Sequence, residues 1–289
     1  MKKAVIIQAR MTSTRLPGKV MMDLAGKPVL ERVIERCRES NVDDVIVATT
    51  SNETDQPIQD LCEKLKCNYF RGSEDDVLSR VLSCAKAFKV DIIVEITADC
   101  PLIDYEHINF LLLLHGDGKA TDMTTNIKQR TFPRGYDIRV FNTVALEKAN
   151  RQVENPIDRQ HVSTWMYLNP EGSKNFLVLN WSATGKEKRP DLDITLDTPE
   201  DYELIENVYK IGKEYRLNLS CEEVVEIIDT YPDLYKKVQT IQRKDYFAEL
   251  NEYYNKGANQ NGEKSTRNEC ADSRSGQPRS LSRCAGVRK

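Results

Sequence analysis

The chain has 289 residues, of which 39% are hydrophobic and 30% are charged, and its formal net charge is −3. These proportions are typical of a soluble globular protein, and no apolar run approaches the ~20 residues needed to span a bilayer. Residues 256–289 carry eight Lys or Arg and three Asp or Glu, and this net +5 leaves −8 for the remainder. Such an acidic body argues against nucleic acid as the main substrate.

The N-terminus and the cysteines predict a cytoplasmic protein with reduced thiols. The apolar stretch after the N-terminal lysines is too short for a signal peptide, and Gln8 and Arg10 interrupt it. None of the eight cysteines forms a Cys-x-x-Cys pair, and the three histidines show no zinc-ligand spacing. We therefore expect structural thiols, no zinc site and no membrane insertion.

The first half of the chain alternates between strand and helix patterns. Strands are predicted at residues 4–7, 44–49, 68–70 and 91–97, and helices at 28–39, about 55–65, 74–88 and 104–115. The strands are apolar on both faces, which is typical of a parallel sheet covered by helices. We therefore predict an α/β fold with a mostly parallel sheet.

The pattern changes in the second half. Short strands and loops are predicted at residues 121–141, helices at about 142–150 and 157–168, and strands at 175–180 and 194–196. From Pro199 to about residue 253 the chain is predicted to be helical, with interruptions before Cys221 and at Tyr231-Pro232. We expect one catalytic domain over residues 1–253, with an insertion at about 120–180, and a disordered basic tail over 254–289.

The most informative segment is Gln8–Lys19, Gln-Ala-Arg-Met-Thr-Ser-Thr-Arg-Leu-Pro-Gly-Lys, which follows the first predicted strand. Its cations Arg10, Arg15 and Lys19 lie among small and hydroxyl residues, and Pro17-Gly18 turns the backbone. Small residues let the backbone approach a ligand, while cations offset several negative charges. The segment matches neither a P-loop nor a dinucleotide fingerprint. It predicts a polyphosphate site, against the alternative of a surface turn with incidental basic residues.

Two aspartates follow predicted strands. Asp99 lies in Ile96-Thr-Ala-Asp-Cys-Pro-Leu, and Asp197 follows the short strand 194–196. Carboxylates at the carboxyl edge of a parallel sheet are well placed to hold Mg²⁺ against a nucleotide. Each also has a structural alternative as a turn or capping residue, although Asp104 is better placed to cap the helix after Asp99. Together with the polyphosphate loop, the pair predicts one metal–nucleotide site.

A polar patch lies between the two aspartates. It contains Arg130, the run Phe132-Pro-Arg-Gly-Tyr-Asp137, and Asp158-Arg-Gln-His161. Arginines suit a carboxylate, while Asp, Gln and His suit sugar hydroxyls. The alternatives are a solvated insertion with surface ion pairs and, for His161, a half-buried structural histidine. The residue types favour a binding role for Arg134 and His161.

An acidic cluster, Arg71-Gly-Ser-Glu-Asp-Asp76, follows the third predicted strand. Ser73 is predicted to cap the next helix, with acidic residues in its first turn. That role explains the cluster without a function. Arg71 and Arg80 remain candidates for contact with a base or a phosphate.

The segment Gln8–Lys19 closely resembles the signature of the cytidylyltransferase family that includes CMP-acylneuraminate and CMP-Kdo synthetases. Four further motifs resemble its branch of SpsF-type spore coat polysaccharide biosynthesis proteins: Arg71-Gly-Ser-Glu-Asp-Asp-Val-Leu, Ile96-Thr-Ala-Asp-Cys-Pro-Leu-Ile-Asp, Phe132-Pro-Arg-Gly-Tyr-Asp and Leu196-Asp-Thr-Pro-Glu-Asp. The resemblance covers roughly residues 3–245, with the motifs in the family's order.

The resemblance implies a GT-A-like, Rossmann-like nucleotide-diphospho-sugar transferase sheet, CTP as donor, a sugar-acid acceptor, Mg²⁺ and a homodimer. Its implied nucleotide contacts are Gln8, Ala9, Arg10, Ser13, Arg15, Lys19, Arg71 and Asp99, of which Arg10, Lys19 and Asp99 are catalytic. Its implied metal ligands are Asp99 and Asp197. Its implied acceptor contacts are Arg134, Asp137, Arg159 and His161.

Two other functions stay open at this point. A glycosyltransferase on the same fold, using a preformed nucleotide-sugar, would more typically carry Asp-x-Asp, whereas Cys100-Pro101 follows Asp99 here. A catalytically idle nucleotide-binding protein is the other alternative, and the presence of all three loop cations and both aspartates argues against it.

Overall fold

The computed structural model describes residues 1–243, 245–253 and 255. The chain divides into a unit Met1–Ile241 and a second unit that begins at Gln242, in which residues 246–253 are helical. The predicted basic tail lies outside the described residues, except for residue 255. Within the described ranges, no helix combines the length and the apolar character needed to cross a bilayer.

The strands of the first unit are β1 (Lys3–Gln8), β2 (Asp23–Leu24), β3 (Lys27–Pro28), β4 (Asp44–Thr50), β5 (Asn68–Gly72), β6 (Ile92–Thr97), β7 (Met123–Thr125), β8 (Arg139–Asn142) and β9 (Val178–Asn180). Its α-helices are α1 (Val29–Arg38), α2 (Gln56–Lys64), α3 (Val77–Ala87), α4 (Tyr105–His115), α5 (Thr143–Gln152), α6 (Pro156–Gln160), α7 (Pro199–Tyr215) and α8 (Cys221–Thr230). The strands and helices predicted before residue 120 are confirmed, with ends shifted by at most three residues.

Seven strands form one sheet in the order β5-β4-β1-β6-β8-β7-β9. β1 pairs in parallel with β4 and β6, and β4 pairs in parallel with β5, whereas β8 runs antiparallel to β6 and β7. The first strand alternates between the faces: Val5 and Ile7 pack in one buried cluster, and Ala4 and Ile6 pack in another on the opposite face. The predicted α/β class with a mostly parallel, helix-covered sheet is confirmed.

The strand order creates a crevice at the carboxyl ends of β1 and β6. From β1 the chain moves outward to β4 and β5, and it then returns to place β6 on the other side of β1. After β1 the chain continues to β4, and after β6 it continues to β7 and β8, so the two connections lead to opposite sides of this strand pair, which is where open α/β sheets bind ligands. Gln8 and Thr97 are register partners at these two strand ends, so the two predicted motifs start side by side.

Two predicted elements are wrong in the second half. The helix predicted at 157–168 is shorter than expected, because α6 ends at Gln160. Val162 has φ +52°, which lies outside the helical region of the backbone. Residues 194–196 form no strand: the Ile194 amide donates to the Arg134 carbonyl, whereas the Leu196 amide donates to the Asp99 carbonyl. Because its partner changes within three residues, this segment builds no ladder.

Helix capping agrees with the sequence at two sites and differs at a third. Asp104 caps α4 by accepting the Glu106 amide at 2.9 Å, and Thr198 caps α7 in a reciprocal capping box with Asp201. The predicted cap at Ser73 is wrong, because α3 begins later and Asp76 caps it by accepting the Ser79 amide at 3.0 Å. The six cysteines within the described residues are free and buried, while Cys270 and Cys284 lie outside them.

Candidate active site

The loop after β1 is closed on itself and anchored to a neighbouring strand. The Gly18 amide donates to the Met11 carbonyl at 2.9 Å, and Gly18 takes φ +73°, which favours glycine. The Met11 amide donates to Asp55 Oδ1 at 2.8 Å. Asp55 is fully buried and also accepts hydrogen bonds from Thr49 and Thr50 at the end of β4. The loop is therefore fixed to the carboxyl edge of the sheet.

The ammonium group of Lys19 lies between the two predicted metal ligands. Its Nζ is 3.0 Å from Asp99 Oδ2 and 2.8 Å from Asp197 Oδ1, and it donates to the Leu196 carbonyl at 2.7 Å. The Lys19 side chain is only 9% exposed. The structure thus brings together three residues that are separated by 80 and 98 positions in the chain.

Two hydrogen bonds hold Asp197 beside Lys19 and Asp99, although no strand precedes Asp197. The Leu196 amide donates to the carbonyl of Asp99 at 2.8 Å, which ties the segment before Asp197 to the end of β6. The Asp197 amide donates to Asp201 Oδ2 at 3.0 Å, and Asp201 is fully buried in the first turn of α7. The N-terminus of α7 therefore fixes the second carboxylate.

The three charges reinforce one another. Burial alone would raise the pKa of Asp99, but Lys19 and the Thr97 hydroxyl, at 2.6 Å, hold it below its usual value. Burial alone would lower the pKa of Lys19, but Asp99 and Asp197 raise it. Asp99 and Lys19 are therefore both ionised around neutral pH, and Asp197 lies on the other side of the same ammonium group.

The two arginines of the loop differ in their surroundings. Arg15 Nη2 is 2.8 Å from Asp197 Oδ2, and its buried Nη1 has no hydrogen-bond partner among the described residues. Arg10 is more exposed and lies 3.6 Å from Glu74. The Thr12 hydroxyl also donates to Glu74. Arg15 thus presents a buried, unused donor beside the Lys19 cluster, whereas Arg10 lies at the rim.

The start of the loop rests on a buried polar network below the crevice. Gln8 Nε2 donates to Glu95 Oε1 at 2.8 Å, and the Ser163 hydroxyl donates to Glu95 Oε2 at 2.5 Å. Arg139 lies 3.6 Å from the same carboxylate, which is 2% exposed. Of the other predicted loop contacts, the Ala9 amide donates to the Ala48 carbonyl at 3.3 Å, and Ser13 is half-buried.

Arg71 contacts the β4–α2 connection. Its guanidinium donates to the carbonyls of Thr50 at 2.9 Å and Asn52 at 2.6 Å, and to the side chain of Gln59 at 3.0 Å. Arg80 is buried and donates to the Ser73 carbonyl. Both arginines thus have structural partners, and a nucleotide contact by Arg71 stays a prediction.

Two of the predicted acceptor residues, Arg134 and Asp137, lie on the segment that hydrogen-bonds to residues 192–194, just before Asp197. The Arg134 amide donates to the Leu192 carbonyl at 2.9 Å, and Arg134 Nε lies 3.3 Å from Asp193 Oδ2. Burial would raise the pKa of Asp137, but a two-pronged ion pair with Arg130, at 2.7 Å for both contacts, holds it below its usual value. Arg134 keeps a side chain that is 40% exposed.

The other two predicted acceptor residues lie on and after α6. Arg159 donates to Asp76 at 2.7 Å, to the Val153 carbonyl at 2.7 Å and to the Asn150 side chain at 2.8 Å, so it ties α6 to the capping residue of α3. His161 follows α6 as its C-terminal cap and is half-buried. An acceptor contact by either residue stays a prediction.

Three buried carboxylates that support the site were not singled out from the sequence. Asp55 anchors the loop, Glu95 holds Gln8, and Asp201 orients Asp197. Glu95 carried a signal, because it interrupts an otherwise apolar strand. Asp201 belonged to a recognisable helix start, but a capping motif does not reveal the second contact to Asp197. Asp55 resembles an ordinary helix-start residue.

Comparison with known proteins gives one consistent family. Residues 4–227 match the family model described as cytidylyltransferase. The chain is 32% identical over 234 residues to the spore coat polysaccharide biosynthesis protein SpsF of Bacillus subtilis, covering 79% of this chain and 94% of that protein. It is also 36% identical over 110 residues to the 3-deoxy-manno-octulosonate cytidylyltransferase of Francisella tularensis subsp. holarctica, covering 36% of this chain and 42% of that protein.

A solved structure extends the similarity to the fold. A cytidylyltransferase from Leptospira borgpetersenii is similar with a TM-score of 0.75 and 31% identity, covering 85% of this chain and all of that one. The predicted Rossmann-like nucleotide-diphospho-sugar transferase fold is confirmed.

Proposed function

The chain belongs to the cytidylyltransferase family, and we propose that it transfers the cytidylyl group of CTP to a hydroxyl of a sugar acid of the nonulosonic or 3-deoxy-ulosonic type. In this reaction the acceptor oxygen forms a bond to the α-phosphorus of CTP, the bond from that phosphorus to the bridging oxygen breaks, and pyrophosphate leaves. The acceptor hydroxyl loses its proton to the surrounding water. Little covalent chemistry is required of the protein, so positioning and charge neutralisation supply most of the rate.

The observation that carries the proposal is the position of the Lys19 ammonium between Asp99 and Asp197. Two carboxylates that converge on one cation offer the oxygen ligands that Mg²⁺ prefers. The ammonium marks a place where a positive charge is stabilised, so Asp99 and Asp197 fit a divalent ion. When bound, Mg²⁺ would act as a Lewis acid on the phosphate oxygens.

The loop cations are proposed to bind the triphosphate. Arg15 offers its unpartnered Nη1, and Lys19 offers an ammonium that a phosphate competes for. Arg10 is proposed to contact the outer phosphates, because its side chain is 42% exposed on the same loop. Charge-assisted hydrogen bonds from these groups would stabilise the pyrophosphate as it leaves. Gln8, Ala9 and Ser13 are proposed to contact the nucleotide from the same loop.

We assign the acceptor carboxylate to Arg134 rather than to Arg159. The Arg134 side chain is partly exposed. The Arg134 carbonyl accepts the amide of Ile194, which lies three residues before Asp197. Arg159 already holds Asp76, Asn150 and Val153. The sugar-acid class rests on the similarity to the Francisella protein, whose name specifies a 3-deoxy-ulosonic acid.

We also propose a homodimer that uses the edge strand β9. This strand pairs only with β7 within the described sheet, and Leu177 and Leu179 expose 64% and 44% of their surfaces on one side of it. Unpaired strand edges and exposed apolar side chains favour association with another chain. A second copy would cover both features.

Pyrophosphate release with CTP, UTP, GTP and ATP, each with Mg²⁺ and a panel of nonulosonic acids, 3-deoxy-ulosonic acids and sugar phosphates, tests the proposal. We expect release with CTP and one class of acid. Asp99→Asn should lower the rate by about 10²–10³, the usual cost of losing one charge-stabilising group. Asp117→Asn, at an exposed aspartate, is the matched control. Equal release with all four nucleotides, or unchanged turnover in Asp99→Asn, would refute it.

A further inference from the structure

A second cluster of metal-ligating side chains lies outside the candidate active site. Atoms of His107, Glu187 and Cys221 that can ligate a metal all lie within 4.8 Å of one another. His107 projects from α4, Glu187 ends the short turn Gly185–Glu187, and Cys221 is the first residue of α8. No contact of this cluster involves Lys19, Asp99 or Asp197 among the hydrogen bonds of the described residues.

The cluster is held in place by other groups. His107 Nε2 is 2.8 Å from Glu187 Oε1. The Cys221 amide donates to Asp104 Oδ2 at 2.8 Å, so the cap of α4 also positions the first residue of α8. Lys186 pairs with Glu222 and Glu226, which fastens the turn carrying Glu187 to α8.

The His107–Glu187–Cys221 cluster is bordered by aromatic side chains on one side and by an open groove on the other. The imidazole of His107 packs in T-shaped contacts against Phe132 and Trp181, with ring centroids 4.9 and 5.0 Å apart, and its Nδ1 is buried without a partner in the described part of the chain. Cys221 is fully buried. His107 and Glu187 line an open groove of about 650 Å³, which gives an ion and a water molecule access.

We propose that His107, Glu187 and Cys221 form a binding site for Zn²⁺ that fastens α4, the 185–187 turn and α8 together. Zinc accepts imidazole nitrogen, carboxylate oxygen and thiolate sulfur, and three protein ligands leave its fourth position for water from the groove. With bonds of about 2.0–2.3 Å, tetrahedral ligand atoms lie ~3.3–3.8 Å apart. His107 Nε2 and Glu187 Oε1, now 2.8 Å apart, would therefore separate slightly, whereas any pair near the 4.8 Å limit would close by about 1 Å. Zinc replaces the proton between His107 and Glu187.

The ligand spacing in the sequence does not reveal this site, because each ligand comes from a different element. His107 and Glu187 are 80 residues apart, and Cys221 follows 34 residues later. The expectation that zinc is absent rested on local spacing alone. Zinc binds cysteine as the thiolate, so binding must displace the Cys221 thiol proton and should weaken as the pH falls.

Zinc content and cobalt spectroscopy of the full chain, freed of any affinity tag, test this proposal. After dialysis against a weak chelator we expect about one zinc per chain at neutral pH. Substitution with Co²⁺ should give a near-ultraviolet thiolate charge-transfer band together with visible bands of tetrahedral cobalt. Cys221→Ser should lose the charge-transfer band, and Cys84→Ser, which removes another buried thiol, should keep it.

Glu187→Gln keeps the proposal testable if Cys221→Ser does not fold. It should weaken zinc binding by at least about 10-fold, whereas Glu106→Gln, on the same groove, should not. The double variant Cys270→Ser/Cys284→Ser should retain the cobalt band. Any of three results would overturn the site. The first is a wild-type zinc content no higher than that of Cys221→Ser, and the second is a cobalt spectrum without a thiolate band. The third is equal zinc affinity in Glu187→Gln and wild type.

Discussion

Replacing Lys19 with methionine should destabilise the fold by about 3 kcal/mol, because removing one partner of a buried ion pair leaves uncompensated charge. Methionine fills most of the volume, so little of the loss comes from a cavity. The Lys19 side chain is 9% exposed, and Asp99 and Asp197 would then face each other. We take the lower end of the usual range because Arg15 stays beside Asp197 at 2.8 Å.

A second lysine supplies a matched control. Lys237 also pairs with a carboxylate, that of Glu203, but the two side chains are 62% and 54% exposed. Surface pairs contribute about 0–1 kcal/mol, so Lys237→Met should change the free energy of unfolding by less than about 1 kcal/mol. Urea unfolding measures both variants. In a thermal melt, the Lys19 variant should unfold about 6–12 °C lower, at ~2–4 °C per kcal/mol.

The pH dependence separates ion pairing from packing. The folded-state pKa of Asp99 is lowered, so its contribution is present above the unfolded pKa of about 3.9 and is lost as the pH falls through the lower folded value. The pKa of Lys19 is raised, so its contribution is present below about 10.4 and is lost as the pH rises through the higher folded value. Without Lys19, burial raises the pKa of Asp99 in the variant, so the difference between wild type and Lys19→Met should begin to shrink at a pH above about 3.9 as the solution is acidified. It should also shrink as the pH rises above about 10.4, where the wild type loses the contribution of Lys19. Equal destabilisation by the two lysine substitutions, or a difference that persists in acid, would refute the reasoning.

Two other predictions concern the backbone and the assembly. Gly135→Ala should destabilise the fold by about 1–3 kcal/mol and slow turnover, because Gly135 has φ +108° and a Cβ there would lie 3.0 Å from the Ile194 backbone. Gly26 has φ +89°, but a Cβ there would have no atom within 4 Å, so Gly26→Ala measures the cost of the backbone conformation alone. If urea unfolding shows that the two variants lose the same free energy of unfolding, the proposed clash with Ile194 is wrong. Leu177→Lys should convert the proposed dimer to a monomer, as measured by light scattering. Val144→Lys, at a 75% exposed position on α5, should leave the dimer intact. A monomeric wild-type protein would contradict the proposed homodimer.

Patterns that depend on neighbouring residues were predictable, and most of the fold follows from them. The apolar runs of β1, β4 and β6 specify buried parallel strands, and strand polarity then places Gln8–Lys19 and Asp99 at the same sheet edge. The boundary errors occur where tertiary contacts override local preference. The residues after α6 leave the helix, and the Ser163 hydroxyl then donates to the buried Glu95.

The approach to Asp197 shows why the rest was not predictable. Residues 194–196 have the composition of a strand, yet their hydrogen bonds go to two loops that are distant in sequence, at Arg134 and Asp99. No local pattern specifies such partners. The aspartate nevertheless reaches the predicted place, because Asp201 and the Leu196 amide fix it from both sides. The prediction that Asp99 and Asp197 lie close together was therefore more robust than the secondary structure used to make it.

The resting arrangement has a consequence for how the proposed substrates bind. Lys19 satisfies Asp99 and Asp197 in the structure, so a divalent ion that binds these carboxylates must displace the ammonium. A buried ammonium without an anion is costly, and in the proposed reaction the triphosphate of CTP would supply that anion from the adjacent loop. The nucleotide would then lower the cost of metal binding, and by thermodynamic reciprocity the metal would lower the cost of nucleotide binding to the same extent. Under the proposed function, Lys19 would couple the two events, because its ammonium group contacts both carboxylates that the metal would use.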